Sequence, residues 1–370
     1  MKILVASDSY KGSLSSNEVN NIIKQAILDT DSSIEVVTLA MADGGENSLE
    51  CALDLENSKL IECEVIGPYG KKVNASYVIS NDLAFIEMAK ASGIMLDETR
   101  NPMLASTFGV GQLIKDALDK GCKHFILCLG GSATNDAGCG MAHALGARFY
   151  KDELELKPIP LELKRCNRID ISNFDSRIKD CSFILACDVN NPLLGNTGAS
   201  FIFGPQKGAN NEMVQELDEI LNHISTLLEK ETGNVCRYNE GAGAAGGLGF
   251  GLMCLCNGIK QSGIDTMLEM THFEEIVQSC DLVITGEGCS DLQTAFGKTP
   301  VGVSKMAMKY QIPTILISGT IVPGTDLSEF GIIKQFATVE YGTNIDEAIK
   351  NARNNLYNAT IKTIKQGIFL

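Results

Sequence analysis

The alternation of apolar and polar positions gives the chain a rhythm that opens, changes and returns. Lys2-Ile-Leu-Val-Ala6 is a short apolar run suited to a buried strand, and it delivers Ser7-Asp8-Ser9-Tyr10-Lys11-Gly12 at its carboxyl end. Ser15 with Glu18 three residues on predicts a capping box, and Val19, Ile22, Ile23, Ala26 and Ile27 recur behind it at helical spacing. A second strand over 34–39 ends in Met41-Ala-Asp43-Gly-Gly-Glu46, followed by a helix carrying Leu49, Ala52 and Leu53. Strand, loop and helix in repetition imply a parallel sheet with right-handed crossovers.

From about Lys59 the period shortens. Runs over 60–66, 72–79 and 83–88 alternate in twos and are parted by Gly67-Pro-Tyr-Gly70 and Ser80-Asn-Asp82, which predicts antiparallel hairpins and entry into a second domain. Phe108 to Lys120 reads as an amphipathic helix stopped by Gly121, His124 to Cys128 as a buried strand, and 183–187 as another, ending in Asp188-Val-Asn-Asn-Pro192. A long polar helix runs from about Asn211 to Glu231. The first rhythm returns near Glu274, with strands over 281–285 and 313–317, and Thr299 is expected as an N-cap with Pro300 at the first helical position. The architecture expected is α/β, in which residues 1–60 and 275–370 make one doubly wound parallel-sheet domain of flavodoxin or Rossmann type. Residues 61–274 are expected as an inserted mixed α/β domain.

Composition narrows the classes of function. A formal charge of −15 argues against nucleic acid or an anionic membrane as partner, while leaving small anionic ligands open. No apolar run is long enough to span a bilayer, and the first residues do not resemble a signal peptide, so a cytoplasmic protein is expected. The 13 cysteines are scattered singly with no C-x-x-C pair, which suits buried thiols rather than a disulfide framework or a zinc site.

Two motif matches fail on context. Gly241-Ala-Gly243-Ala-Ala-Gly246 fits G-x-G-x-x-G, but the residues before it are polar and form no buried strand. Gly297-Lys298-Thr299 ends like a phosphate-binding P-loop, but Leu292 stands where that pattern needs glycine. There is no G-x-S-x-G elbow, and His124, His143, His223 and His272 have no nucleophile beside them, which disfavours a histidine-based hydrolase.

What remains is a set of short glycine-bearing loops at the carboxyl ends of strands, the edge where open α/β sheets bind ligands. They bring Asp8, Asp43, Glu46, Asp136, Asp188, Glu287 and Asp291 together with Lys11, Lys207 and Lys298. Carboxylates beside glycines that cradle phosphate make sense when a divalent metal lies between them, which is the inventory of a phosphotransferase. The richest loop is LGGSATNDAGCG, Leu129 to Gly140, where Gly130, Gly131, Ser132, Thr134, Asn135 and Asp136 sit between a buried strand and a helix start, so that backbone N–H groups can face an anion.

At seven blocks the chain resembles the type I glycerate kinases: SDSYKGSLS (7–15), MADGGE (41–46), LGGSATNDAGCGM (129–141), ACDVNNPLLG (186–195), FGPQKGA (203–209), GAGAAGGLGFG (241–251) and TGEGCSDLQTAFGKTPVGV (285–303). Ala137, Cys139 and Asn47 stand where typical members carry glycine, alanine and glycine. The resemblance implies a two-domain α/β fold with the active site in the cleft between the domains, and ATP- and magnesium-dependent phosphorylation of D-glycerate, with the 2-phosphate favoured over the 3-phosphate. On that reading Asp188 is the base or a magnesium ligand, and Lys11 holds the glycerate carboxylate or the transferring phosphoryl. Asp8 is a further catalytic candidate and Asp43 a further metal ligand; Gly130 to Asp136 bind phosphate or nucleotide, and Lys207, Asp291, Gln293 and Lys298 bind substrate. A kinase of another small hydroxy acid or polyol, and a non-catalytic sensor of sugar acids, are the alternatives. Oligomeric state is not readable from the sequence.

Overall fold

The computed structural model describes residues 1–45 and 48–365, apart from the side chain of Phe296; Glu46 and Asn47 lie outside the described residues. The chain forms two compact units, one from Met1–Asp43, Glu50–Leu55 and Ser262 onward, the other from Gly44–Leu49 and Glu56–Gln261.

The first unit is built on five parallel strands in the spatial order Ile332–Ala337, Thr314–Ser318, Leu282–Thr285, Lys2–Val5, Glu35–Thr38. Counted along the chain this is the order 2-1-3-4-5, the flavodoxin-like arrangement, whose winding reverses between the first and third strands. Ile3, Val5, Ile284, Ile315 and Ile317 face one side and pack with the helices Ser16–Thr30 and Ala352–Lys365 through Val19, Ile23, Ile27 and Leu356. On the other side Leu316 and Ile332 pack with Val301 of the helix Thr299–Lys309. Both faces are thus covered, as near-continuous apolar strands require.

The capping box forms as the sequence predicts: Glu18 N–H donates to Ser15 Oγ at 3.3 Å and Ser15 N–H donates to Glu18 Oε2 at 3.0 Å. Ser15→Ala therefore costs about 1 kcal/mol, to be read as a lower midpoint in chemical denaturation. Thr299 departs from expectation by one position. Lys298 is the N-cap, Thr299 the first helical residue and Pro300 the second, because the Thr299 hydroxyl is spent on Asp8 instead of its own helix.

The second unit carries a six-stranded mixed sheet, ordered Ile259–Gln261, Ser182–Ala186, His124–Cys128, Leu83–Glu87, Lys72–Ser80, Ser58–Ile66. The first four are parallel, and the last three are joined as the antiparallel hairpins that the turn residues predict. The long helix spans Asn211–Thr232. No helix among the described residues is long and apolar enough to cross a membrane. All 13 cysteines are free thiols, and Cys289 alone is exposed.

Candidate active site

In the first unit the loops after strands Lys2–Val5 and Leu282–Thr285 emerge at the point where the winding reverses, which is where such sheets bind ligands. The two loops are tied together by Asp8 N–H donating to Gly286 O at 2.9 Å. The Asp8 carboxylate accepts from Ser9 N–H at 2.6 Å and from the Thr299 hydroxyl at 2.8 Å. Burial, and next the charge of Asp43, outweigh these bonds and raise the Asp8 carboxyl from 3.8 to about 7. Glu287 is buried and also pushed up, chiefly by burial, although Thr294 and Ser290 hydroxyls donate to its Oε1 at 2.7 and 3.0 Å. Asp291 caps the short turn Leu292–Phe296, accepting from Gln293 N–H at 2.8 Å. Lys298 Nζ lies 3.6 Å from both Glu287 and Asp291.

Asp8, Lys11, Asp43, Asp291 and Lys298 line one cavity of about 620 Å³, together with Glu287 and a wall formed by 338–352. Gln293, the neighbouring candidate, is exposed and does not line it. Among the described residues no group of three or more His, Cys, Asp and Glu side chains is placed to hold a metal ion.

The remaining candidates lie in the second unit. Gly130 and Gly131 are exposed, whereas Ser132, Thr134, Asn135 and Asp136 are buried and turned to internal partners. Asp136 accepts from Thr107 N–H and hydroxyl at 2.8 and 2.9 Å and from Gly140 and Gly138 N–H at 3.1 and 3.2 Å, so it fastens the start of the helix Cys139–Ala144. Asn135 donates to the Ser200 hydroxyl, and the Thr134 hydroxyl donates to Ala245 O. Lys207 is itself buried beneath the loop, its Nζ donating to Ser132 Oγ at 2.8 Å and Thr134 O at 2.7 Å. Burial lowers its pKa to about 7, against the opposing pull of Asp136.

The glycine-rich block 241–251 also finds its role here. It enters the helix Ala244–Cys256 through three left-handed residues, Ala245, Gly246 and Gly247, and packs main chain against main chain on the loop; a Cβ on Gly246 would fall 1.9 Å from Thr134 O. Asp188 lies two residues past its strand and is exposed. The strand ends sooner than expected because Cys187 N–H, donating to Gln261 O, follows the last of its ladder. Its loop leaves the same sheet edge as the glycine loop, from the adjacent parallel strand.

A model of the glycerate kinase family matches residues 3–366. The chain belongs to that family. It is 42% identical to a glycerate kinase of Bacillus cereus over 96% of this chain and 95% of the relative. It is also 42% identical to a glycerate 2-kinase of Escherichia coli K12 over 97% and 96%. A crystal structure assigned as glycerate kinase 2 from Salmonella typhimurium LT2 superposes with a TM-score of 0.91 at 39% identity, each chain covered in full. The family match also spans the wall 338–352, which sequence reasoning missed. That wall carries no dense motif, and the signal that finds it is the strand order.

Proposed function

We propose that the protein transfers the γ-phosphoryl group of ATP to a hydroxyl of D-glycerate in the cytoplasm, giving 2-phosphoglycerate. What carries this reading is the end-to-end similarity to relatives named as glycerate kinases, one of them a glycerate 2-kinase. The geometry supports it, because the motif residues of the first unit converge on one cavity at the winding reversal. Asp8 suits the accepting base, since a carboxyl raised to about 7 is matched to proton transfer near neutral pH. Asp188 is the other candidate for that role.

Lys11 holds the glycerate carboxylate or the transferring phosphoryl, and Lys298 with Asp291 orients substrate beside it. Gly130 and Gly131 offer their backbone to an anion of the reaction. Ser132, Thr134, Asn135, Asp136 and Lys207 act beneath them by fixing the loop's shape. Magnesium, when bound, supplies charge neutralisation at the phosphate oxygens, and it needs only one or two protein carboxylates beside the phosphates themselves. Asp43 and Asp188 are the proposed ligands.

The test is ADP release with D-glycerate, L-glycerate, glycerol and tartronate in turn, followed by phosphorus NMR of the product. D-glycerate is expected to be the preferred acceptor; no ADP from any acceptor refutes the reading. A charge-assisted bond is worth roughly 1.5–3 kcal/mol, so Lys11→Ala lowers kcat/KM by about one to two powers of ten. If Lys11→Ala and Asp188→Asn both turn over like wild type, these two roles are misassigned.

A further inference from the structure

The cavity of the first unit is too large and too apolar on one wall for a three-carbon acid. Its volume of about 620 Å³ falls within the range of roughly 300–1,000 Å³ that holds larger organic ligands. One wall of the cavity that Lys11 and Lys298 also line is supplied by 338–352. There Tyr341 is 59% exposed and Ile345 71% exposed, and Ile345, Ala348, Ile349 and Ala352 follow one another at helical spacing along the cavity. Large apolar side chains left exposed and contiguous mark a surface that a ligand covers. Glycerate, all carboxylate and hydroxyl, has no part that would cover it.

Resting on the kinase reading above, we propose that this wall is the subsite for the base of the nucleotide. The adenine packs on Tyr341, Ile345 and Ile349, the ribose hydroxyls face Glu340, and the phosphates run toward Lys11 and Lys298. The two walls meet closely enough for this, since Ile349 Cδ1 lies 3.7 Å from where a Cβ on Gly12, next to Lys11, would be. A flat aromatic base joined to a metal-bound polyanion has the chemistry this cavity selects, with an apolar wall for the base, Lys11 and Lys298 for the phosphates, and the carboxylates of Asp8, Asp43 and Asp291 beside them, which a divalent cation would reconcile with the phosphates. The position at the winding reversal is the one where doubly wound sheets take nucleotides. A second copy of the chain covering the same patch would satisfy the apolar wall but gives no reason for Lys11 beside it.

The experiment compares wild type with Ile349→Asp and with Ala348→Trp, which fills the wall without adding charge. For both variants the KM for ATP is expected to rise about tenfold or more, consistent with loss of apolar burial. In the uncharged Ala348→Trp variant the KM for glycerate is expected to stay within twofold, and binding of inorganic tripolyphosphate, which has no base, to be unchanged. A KM for ATP within twofold of wild type, or a rise confined to glycerate, overturns the subsite. Independently of any variant, photolabelling wild type with 8-azido-ATP is expected to mark the peptide holding 338–352; exclusive labelling elsewhere, for example at 130–136, overturns it. The kinase reading fails separately, if wild type binds and is labelled by the nucleotide yet releases no ADP with glycerate. Concentration-dependent dimerisation abolished by Ile349→Asp, with nucleotide binding intact, assigns the patch to a second copy and overturns the proposal.

Discussion

Asp8→Asn lowers kcat/KM for glycerate by about a hundred- to ten-thousand-fold, the range expected for loss of a positioned base, and removes the acid limb of the pH profile. In wild type that limb has an apparent pKa of about 7, because burial and the charge of Asp43 hold the Asp8 proton to that pH. The same shift acts on stability, with the opposite sign from a salt-bridged carboxylate. Between its ordinary 3.8 and about 7 the unfolded chain has lost this proton while the folded chain retains it, so native stability falls as pH rises through that window. Above about 7 the folded protein carries the full cost of an ionised, half-buried carboxylate. Asn carries none of it, keeps its oxygen for the Ser9 N–H and turns its NH2 to donate to the Thr299 hydroxyl in place of the bond Asp8 accepts there. In EDTA the variant should therefore melt above wild type, by a margin smallest near pH 4 and level beyond about 7. A variant at once slower and more stable is the pattern of a residue held in a strained environment for function. Near-wild-type kcat/KM with the acid limb intact would move the base to Asp188.

The contrast between Asp8 and Asp136 shows what the sequence could and could not say. Both stand in polar loops just past apolar runs, and both read as ligand-facing carboxylates. Asp136 instead has four donors from its own unit, supplied by Thr107, Gly138 and Gly140, and is buried. Periodicity places a loop at a strand end but does not tell which of its side chains turn inward, since that depends on partners as remote in sequence as Lys207, Ser200 and Ala245. Local signals fared better: the Ser15 box and the hairpins near Gly67 and Ser80 are fixed by neighbours a few residues away. The reversal of winding was hidden for a different reason. It needs Lys2–Val5 to pair with Leu282–Thr285, two strands at opposite ends of the chain, and the wall 338–352 becomes visible only once that pairing is known. Ala137 is informative in its own right, since it holds φ +55°, a left-handed backbone that favours glycine, which is the residue the family resemblance leads one to expect there.

Gly246→Ala should be among the most damaging small changes in the chain. Its φ of +67° is left-handed, which costs a non-glycine residue about 1–2 kcal/mol. Ala245, alongside it, already bears that strain at φ +53°, so backbone conformation alone does not forbid the change. The obstacle is the neighbour. The new Cβ would lie 1.9 Å from Thr134 O, 2.6 Å from Thr134 C and 2.7 Å from Asn135 Cα, all main-chain atoms that cannot rotate aside. Relieving that overlap pushes away the carbonyl that accepts from Lys207 Nζ, and with it the loop that presents Gly130 and Gly131. Overpacking of this kind adds about 1–3 kcal/mol, and at roughly 2–4 °C per kcal/mol the melting temperature falls by about 10 °C. Gly233→Ala is the matched control, with φ +77° and nothing within 4 Å of its Cβ, and it should lose only the conformational part. If the loop bears on catalysis as proposed, the Gly246 variant loses kcat/KM at temperatures where it is still folded and the Gly233 variant does not. Equal melting temperatures for the two would mean that the glycine-rich helix does not brace the loop.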